Sequence, residues 1–177
     1  MQKTMKHIKN QAGVTLLELI AALSVLAIIV VGALALYSSA SSSQASTQIS
    51  QDVTAIRAGL KQLWNGQGTY GTAGTNLNDT LVAAKRIPTT IRVDATTTPD
   101  TLTHQLDGTV TIASTGVGFT ITLTNIPEDV CIPLMTSAQG WTSVKAGTAT
   151  AITSFPIAPA SAVTACATGT TLVFTGS

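Results

Sequence analysis

The most constraining feature of this sequence is an uninterrupted apolar run near the N-terminus. Residues 19–36 read LIAALSVLAIIVVGALAL, and Ser24 is the only one of these eighteen residues with a hydroxyl group. An α-helix rises 1.5 Å per residue, so the run would be about 27 Å long, close to the thickness of about 30 Å of a bilayer's hydrocarbon core. The run therefore predicts a membrane-length helix.

The charges are divided unevenly around this run. Lys3, Lys6 and Lys9 precede it with no acidic residue among them, whereas residues 14–177 contain six basic and eight acidic residues. Basic residues before an apolar segment favour a cytoplasmic N-terminus. We therefore expect a single pass through the inner membrane, with everything after Tyr37 on its outer side.

The composition offers few groups for catalysis. The chain has two histidines, two cysteines and eight carboxylates, its net charge is +1, and only 10% of its residues are charged. His7 lies in the basic leader and His104 in a polar stretch, where we expect a solvated side chain. We predict no catalytic site, no metal site and no cofactor, and no basic surface for nucleic acid.

Three interpretations of the apolar run follow from the residues around it. It could be a secretory signal cut after Ser38-Ser39-Ala40, or an uncleaved anchor. The third interpretation accounts for Glu18, which stands at the start of the run. A carboxylate at membrane depth costs about 2.5–3.5 kcal/mol on insertion scales and usually has a partner, although the cost is small if Glu18 lies at the membrane interface.

The residues before the run, KNQAG-VTLLE, resemble the processing motif of type IV prepilins. The resemblance implies that a prepilin peptidase cuts between Gly13 and Val14 and methylates the amine of Val14. It also implies that Glu18 pairs with the terminal amine of a neighbouring subunit during assembly. Because the first mature residue is Val and not Phe, the motif resembles the type IVb branch. The further partners implied are identical subunits, an inner-membrane assembly platform and an assembly ATPase.

A second apolar pattern follows the Ser-rich stretch SSASSSQAS. The spacings along it are 4, 4, 3, 4 and 3, which place its members on one face of a helix that ends before Gly66 and Gly68. If the Ser-rich stretch is also helical, residues 14–64 form one helix about 76 Å long. The members are Ala45, Ile49, Val53, Ile56, Leu60 and Leu63.

The remainder of the chain predicts a mostly β head. TVTIA and GFTITLT alternate apolar residues with Thr around Thr115-Gly116, which predicts an antiparallel hairpin from residue 109. Asn125 is predicted as the N-cap of a short helix containing Pro127, with Glu128 and Asp129 compensating its dipole. Trp141 is expected to anchor packing. Further predictions are a helix over 77–85 and strands over 91–93, 142–144, 149–153 and 171–175.

Cys131 and Cys166 are the two cysteines of the chain. Outside the inner membrane a disulfide is the expected state of two thiols. Closure of this loop would contribute about 3–4 kcal/mol in the chain-entropy estimate. We expect the bond to tie the last strand to the helix at 127–135. A single bridge near the C-terminus also matches the pilin family.

Three strings of the head carry a closer resemblance, to PilS-type pilins of the type IVb branch. They are LWNGQGTYG, FTITLTNIPEDVCIPL and TACATGTTLVFT, whereas 72–108 and 136–160 carry none. The resemblance implies an α+β pilin fold in which the leader (1–13) precedes a filament-core helix (14–37), an amphipathic continuation (38–65) and a head (66–177).

The leading hypothesis is a major pilin that polymerises into an extracellular type IVb pilus used for adhesion, aggregation or conjugative contact. One alternative is a minor pilin or a type II secretion pseudopilin. Pseudopilins often have a calcium site in place of the disulfide, and no acidic cluster of that kind is present in this sequence. The other alternative is a secreted adhesin domain whose signal peptide is removed after Ala40.

Overall fold

The computed structural model describes residues 15–177, so the leader and the predicted cleavage site at Gly13 and Val14 lie outside the described residues. The chain divides between Ala40 and Ser41 into two compact units. Helix α1 (Leu16–Leu63) begins in the first unit and ends in the second, without a break in the Ser-rich stretch. The predicted helix is therefore present from Leu16 onward.

Several hydroxyl side chains within α1 donate to the backbone of the helix itself. Ser46 and Thr47 donate to the backbone oxygen of Ser43 at 2.9 Å, and Thr54 donates to the oxygen of Ser50 at 2.8 Å. Such bonds to a carbonyl three or four residues earlier let Ser and Thr occupy a helix interior despite their modest propensity.

The predicted apolar face of α1 in the second unit is confirmed. Ile56 and Leu60 are completely buried, Ile49 and Val53 are at most 3% exposed, and Leu63 is partly buried against the same core. Burying a side chain of this size contributes about 1.5–3 kcal/mol. This face therefore fixes α1 to the head through hydrophobic packing.

The head contains one antiparallel sheet of six strands in the order β1-β2-β3-β4-β6-β5. The predicted hairpin is confirmed, with Ile112 opposite Ile121. Alternate residues of its strands are buried, as the period-two pattern predicted. The strands are β1 (Arg92–Asp94), β2 (Thr101–Thr103), β3 (Thr109–Ser114), β4 (Phe119–Leu123), β5 (Ser143–Ala146) and β6 (Leu172–Gly176).

Three shorter helices accompany the sheet: α2 (Asn78–Ala83), α3 (Glu128–Ser137) and α4 (Pro159–Cys166). Helix α4 was not predicted, because its sequence PASAVTAC has only one large apolar residue. The prediction that Asn125 caps α3 is wrong. Pro127 holds that position, while Asn125 has a φ of 57° and its amide donates to the backbone oxygen of Leu106 at 2.7 Å.

Two strand predictions also need correction. Residues 149–153 do not form a strand, and Ile152 makes only an isolated bridge to Val144. Strand β2 was not predicted, because its sequence TLT has a single apolar residue and therefore shows no alternation. The strands predicted over 91–93, 142–144 and 171–175 are present with shifts of one or two residues at their ends.

The Gly- and Thr-rich loop after α1 is fastened to the hairpin by backbone bonds. The amides of Tyr70, Gly74 and Leu77 donate at 2.8 Å to the oxygens of Gly116, Ser114 and Ile112. The buried Asn78 side chain accepts from the amide of Ile112 at 3.0 Å and donates to the oxygen of Asp100 at 2.9 Å. The loop is thus an ordered part of the head.

An aromatic row crosses the head, and the prediction that Trp141 anchors packing is confirmed. Neighbouring rings in the row have centroids 5.1–6.2 Å apart. Arg57 of α1 lies over the Trp141 ring, 4.7 Å from its centroid, and donates to the backbone oxygen of Gly140. The row consists of Trp64, Tyr70, Phe119, Trp141 and Phe174.

His104 is not solvated, contrary to the prediction. Its side chain is 1% exposed, with Nε2 at 2.8 Å from the oxygen of Thr124. The amide of Leu106 donates to Nδ1 at 3.3 Å. Because a carbonyl oxygen can only accept and an amide can only donate, these partners require a neutral ring with its proton on Nε2.

Candidate assembly site

The large apolar side chains in the first part of α1 are exposed. Leu16 and Leu17 are 77% and 80% exposed, and Leu36 at the other end of the run is 75% exposed. In residues 15–177, α1 is the one helix long and apolar enough to cross a membrane. A continuous apolar surface of this size marks a contact with lipid or with other protein.

Glu18 lies in the first turn of this exposed segment and is itself exposed. Its backbone amide donates to the hydroxyl of Thr15 at 3.3 Å, and Thr15 directly precedes the first helical residue. This is the N-cap half of a capping box, whose T-x-x-E spacing is readable in the sequence. Thr15 was not among the predicted site residues, and this spacing is the signal that identifies it.

Glu18 therefore lies at the N-terminal end of α1, beside the apolar segment and close to the partial positive charge of the helix dipole. The predicted cleavage site and the lysines of the leader lie outside the described residues. The assignments of Gly13, Val14 and Glu18 stay predictions.

The head carries the expected disulfide between Cys131 and Cys166, with their Cα atoms 5.9 Å apart. Both residues are buried, and Cys166 also contacts the sulfur of Met135 at 3.5 Å. The expected position of the bond needs correction, because Cys166 is the last residue of α4 and precedes β6 by several residues. The disulfide joins α3 to α4 and does not hold the last strand directly.

The described residues offer an exposed apolar surface on α1 and one covalent cross-link, the disulfide. Within the part of the chain that the structure describes, no three His, Cys, Asp or Glu side chains come together in a way that could hold a metal ion. The features that distinguish the molecule are an exposed apolar helix with a carboxylate at its start and a cross-linked α+β head.

Comparison with known proteins defines the class. Residues 8–34 match the prokaryotic N-terminal methylation motif. The fold is similar to the crystal structure of a type IVb pilin from Salmonella typhi, with a TM-score of 0.57 and 23% identity over 71% of this chain and 95% of that chain. The long N-terminal helix followed by an antiparallel sheet is the pilin fold.

A second comparison identifies the family. Residues 42–177 match the family described as PilS N terminal, which covers most of the chain. The chain belongs to the PilS family and is a structural subunit of a pilus. No curated protein matches this sequence.

Proposed function

We propose that this chain is the major, repeating subunit of an extracellular type IVb pilus. In this filament the apolar segments of neighbouring copies cover one another. The observation that carries the proposal is the exposed surface of Leu16–Leu36 with Glu18 at its start. This surface is covered by lipid before assembly. After assembly it is covered by protein in the filament core.

Before assembly the apolar segment lies in the inner membrane as a single pass, with the lysines of the leader on the cytoplasmic side. Lipid chains are about as apolar as leucine, so helices leaving a bilayer for a filament core exchange one apolar environment for another. The transfer therefore does not depend on a gain in hydrophobic burial. Polar groups inside the core then decide how the subunits align.

Glu18 is the polar group that aligns them. Removal of the leader between Gly13 and Val14 by a prepilin peptidase creates a new amine, which the same enzyme methylates at Val14. In the core, this amine of one copy pairs with the Glu18 carboxylate of the next. Leaving one member of a buried ion pair unmatched costs about 3–5 kcal/mol, so the pair selects one stagger between copies.

An inner-membrane platform and an assembly ATPase supply the energy for assembly. The finished filament serves adhesion, aggregation or conjugative contact. The alternative of an adhesin domain released after Ala40 separates the head from the apolar segment, and it leaves the match of residues 8–34 to the methylation motif without a role.

Sheared surface filaments test the proposal by electron microscopy and intact-mass measurement. We expect filaments whose main component starts at Val14, carries one added methyl group and contains no residue of the leader. A main component that starts at Ser41, or a cell surface without filaments of this chain, would contradict the proposal. Gly13→Leu should block leader removal and filament formation. The matched variant Gly13→Ala adds only one methyl group and should reduce leader removal and filament formation less.

A further inference from the structure

The charges of the head are few and mostly unpaired within the chain. Residues 41–177 contain six basic and seven acidic side chains. Across residues 15–177 the structure forms one ion pair, between Arg92 and Asp107 at 2.5 Å. In a head whose surface is otherwise rich in Ser, Thr and Gln, the remaining charges are the strongest source of orientation.

Two exposed basic residues border a groove beside the C-terminal part of α1. The groove has a volume of about 350 Å³ and lies between the helix and the segment Lys85–Pro88. Gly59 makes this close approach possible, because a Cβ atom there would lie 3.0 Å from the Cβ of Arg86. Lys85 and Arg86 line the groove and are exposed. We call this feature the basic groove.

Apart from Gln62 and the two basic residues, the lining of the basic groove is apolar or small. Ala55, Ala58 and Gly59 form its helical side, and Ile87 and Pro88 lie on the other side. A side chain entering it can pack its methylene groups on this lining while its charge meets the basic rim. Once a second copy covers the groove, an ion pair formed there is stronger than one on an open surface.

The acidic counterpart lies at the other end of the head. Glu128 and Asp129 are exposed in the first turn of α3, and the hydroxyl of Ser42 donates to a carboxylate oxygen of Asp129. This bond places the acidic pair beside Ser42, which lies seventeen positions before Gly59 in α1. At 1.5 Å per residue the separation along α1 is about 26 Å. We call this pair the acidic end.

We propose that the basic groove of one copy receives the acidic end of another copy, so that the heads contact one another head to tail. This inference rests on the proposed pilus function and adds the contact between heads. The two surfaces differ and lie apart, so the contact is heterologous. Heterologous contacts that do not close into a ring extend into helical filaments.

The charges also act against wrong alignments. Two basic grooves repel each other, as do two acidic ends, so a head-to-head contact is disfavoured while the head-to-tail contact is attractive. The contact is independent of Glu18, which acts in the apolar segment. Raised salt should weaken the contact between heads, because the Debye length falls from about 10 Å at 0.1 M to about 3 Å at 1 M.

Reversed charges in the full-length chain test the inference, with sheared filaments per cell as the measurement. Lys85→Glu and Glu128→Lys, each expressed alone, should lower the filament count about tenfold, which corresponds to about 1.4 kcal/mol per contact. The matched control Lys145→Glu reverses an exposed basic residue of β5 outside the basic groove and should leave the count within about twofold of the parent.

Recombining the reversed charges separates a lost contact from a damaged fold. The double variant Lys85→Glu with Glu128→Lys again has complementary charges at the two ends. Its filament count should recover to within about twofold of the parent, because the attraction across each contact is restored. Co-expression of the two single variants should also recover filaments, because alternating copies then present opposite charges at every contact.

The inference is overturned if either single variant assembles as well as the parent. It is also overturned if neither recombination recovers filaments while the variants keep a protease-resistant, disulfide-bonded head. Reduced filaments with Lys85→Glu but unchanged filaments with Glu128→Lys would indicate an acidic partner other than a second copy, and would equally overturn it. A parent chain that forms no filaments contradicts the proposed function instead, so the two failures are distinguishable.

Discussion

The two parts of helix α1 have similar backbone geometry but opposite surroundings. From Leu16 to Leu36 the large apolar side chains are exposed, whereas Ile49, Val53, Ile56 and Leu60 are buried in the head. The first part can be covered only by lipid or by other molecules, and the second part is covered by its own chain. Substitutions in the two parts should therefore affect different steps, folding for one and assembly for the other.

The strongest test of this difference is the same substitution, Leu to Ala, made in each part of α1. Leu60→Ala removes a fully buried side chain and should lower the free energy of unfolding of the head by up to about 5 kcal/mol. Leu26→Ala, at a residue that is 60% exposed, should leave it unchanged. Chemical denaturation of the full chain in detergent measures both, and equal losses would contradict the division of α1.

The disulfide belongs to the second part of the comparison alone. Cys131→Ser with Cys166→Ser should lower the stability of the head by about 3–4 kcal/mol, because the unfolded chain regains the freedom of a loop closed over a sequence separation of 35 residues. Membrane insertion of the apolar segment should not change. Denaturation of the parent chain with and without reductant checks the first expectation, and membrane fractionation checks the second. Identical unfolding midpoints would show that the bond is unimportant.

A smaller effect should come from pH, again confined to the head. Burial lowers the pKa of His104 below its usual value, although the hydrogen bond to Thr124 and the charges of Asp107 and Asp52 raise it in part. The unfolded chain therefore takes up a proton at about pH 6.5 that the native head takes up only at lower pH. Stability should be full above that pH and should fall as the pH drops through the native pKa.

Equilibrium unfolding between pH 7.5 and the mildly acidic range checks this dependence, with His104→Gln as the matched variant. Glutamine does not titrate, so its profile should be flat where that of the parent falls. The lowered pKa of Asp94, caused by hydrogen bonds from Thr96, places its titration below this window. A parent profile as flat as that of His104→Gln would contradict the role given to the buried ring.

The backbone elements predicted most accurately from sequence were those with a period. The apolar face of α1 and the β3–β4 hairpin follow from spacings of three or four and of two. Helix α4 lacked such a signal because its buried residues, Ala162, Ala165 and Cys166, are small. The disulfide to α3 was predicted, but the bond was expected to hold the last strand, so the helix that carries Cys166 was missed.

Partners distant in sequence account for two of the wrong predictions, those on Asn125 and His104. Asn125 looks like a helix cap until Leu106, nineteen residues earlier, offers a carbonyl oxygen. His104 is buried because Thr124 and Leu106 satisfy both of its ring nitrogens. Glu18 differs from Asn125 and His104, because the partner proposed for it lies on another copy. Its role is therefore tested in the assembled filament.

The most direct test of the account is the filament count of Glu18→Ala, with monomer abundance and leader removal measured in the same cells. Removing a carboxylate from an apolar helix eases insertion, so the monomer should accumulate and be processed normally. Each incoming Val14 amine would then enter the core unpaired, at a cost of about 3–5 kcal/mol, and filaments should be absent or rare. Abundant filaments composed only of Glu18→Ala subunits would contradict the account.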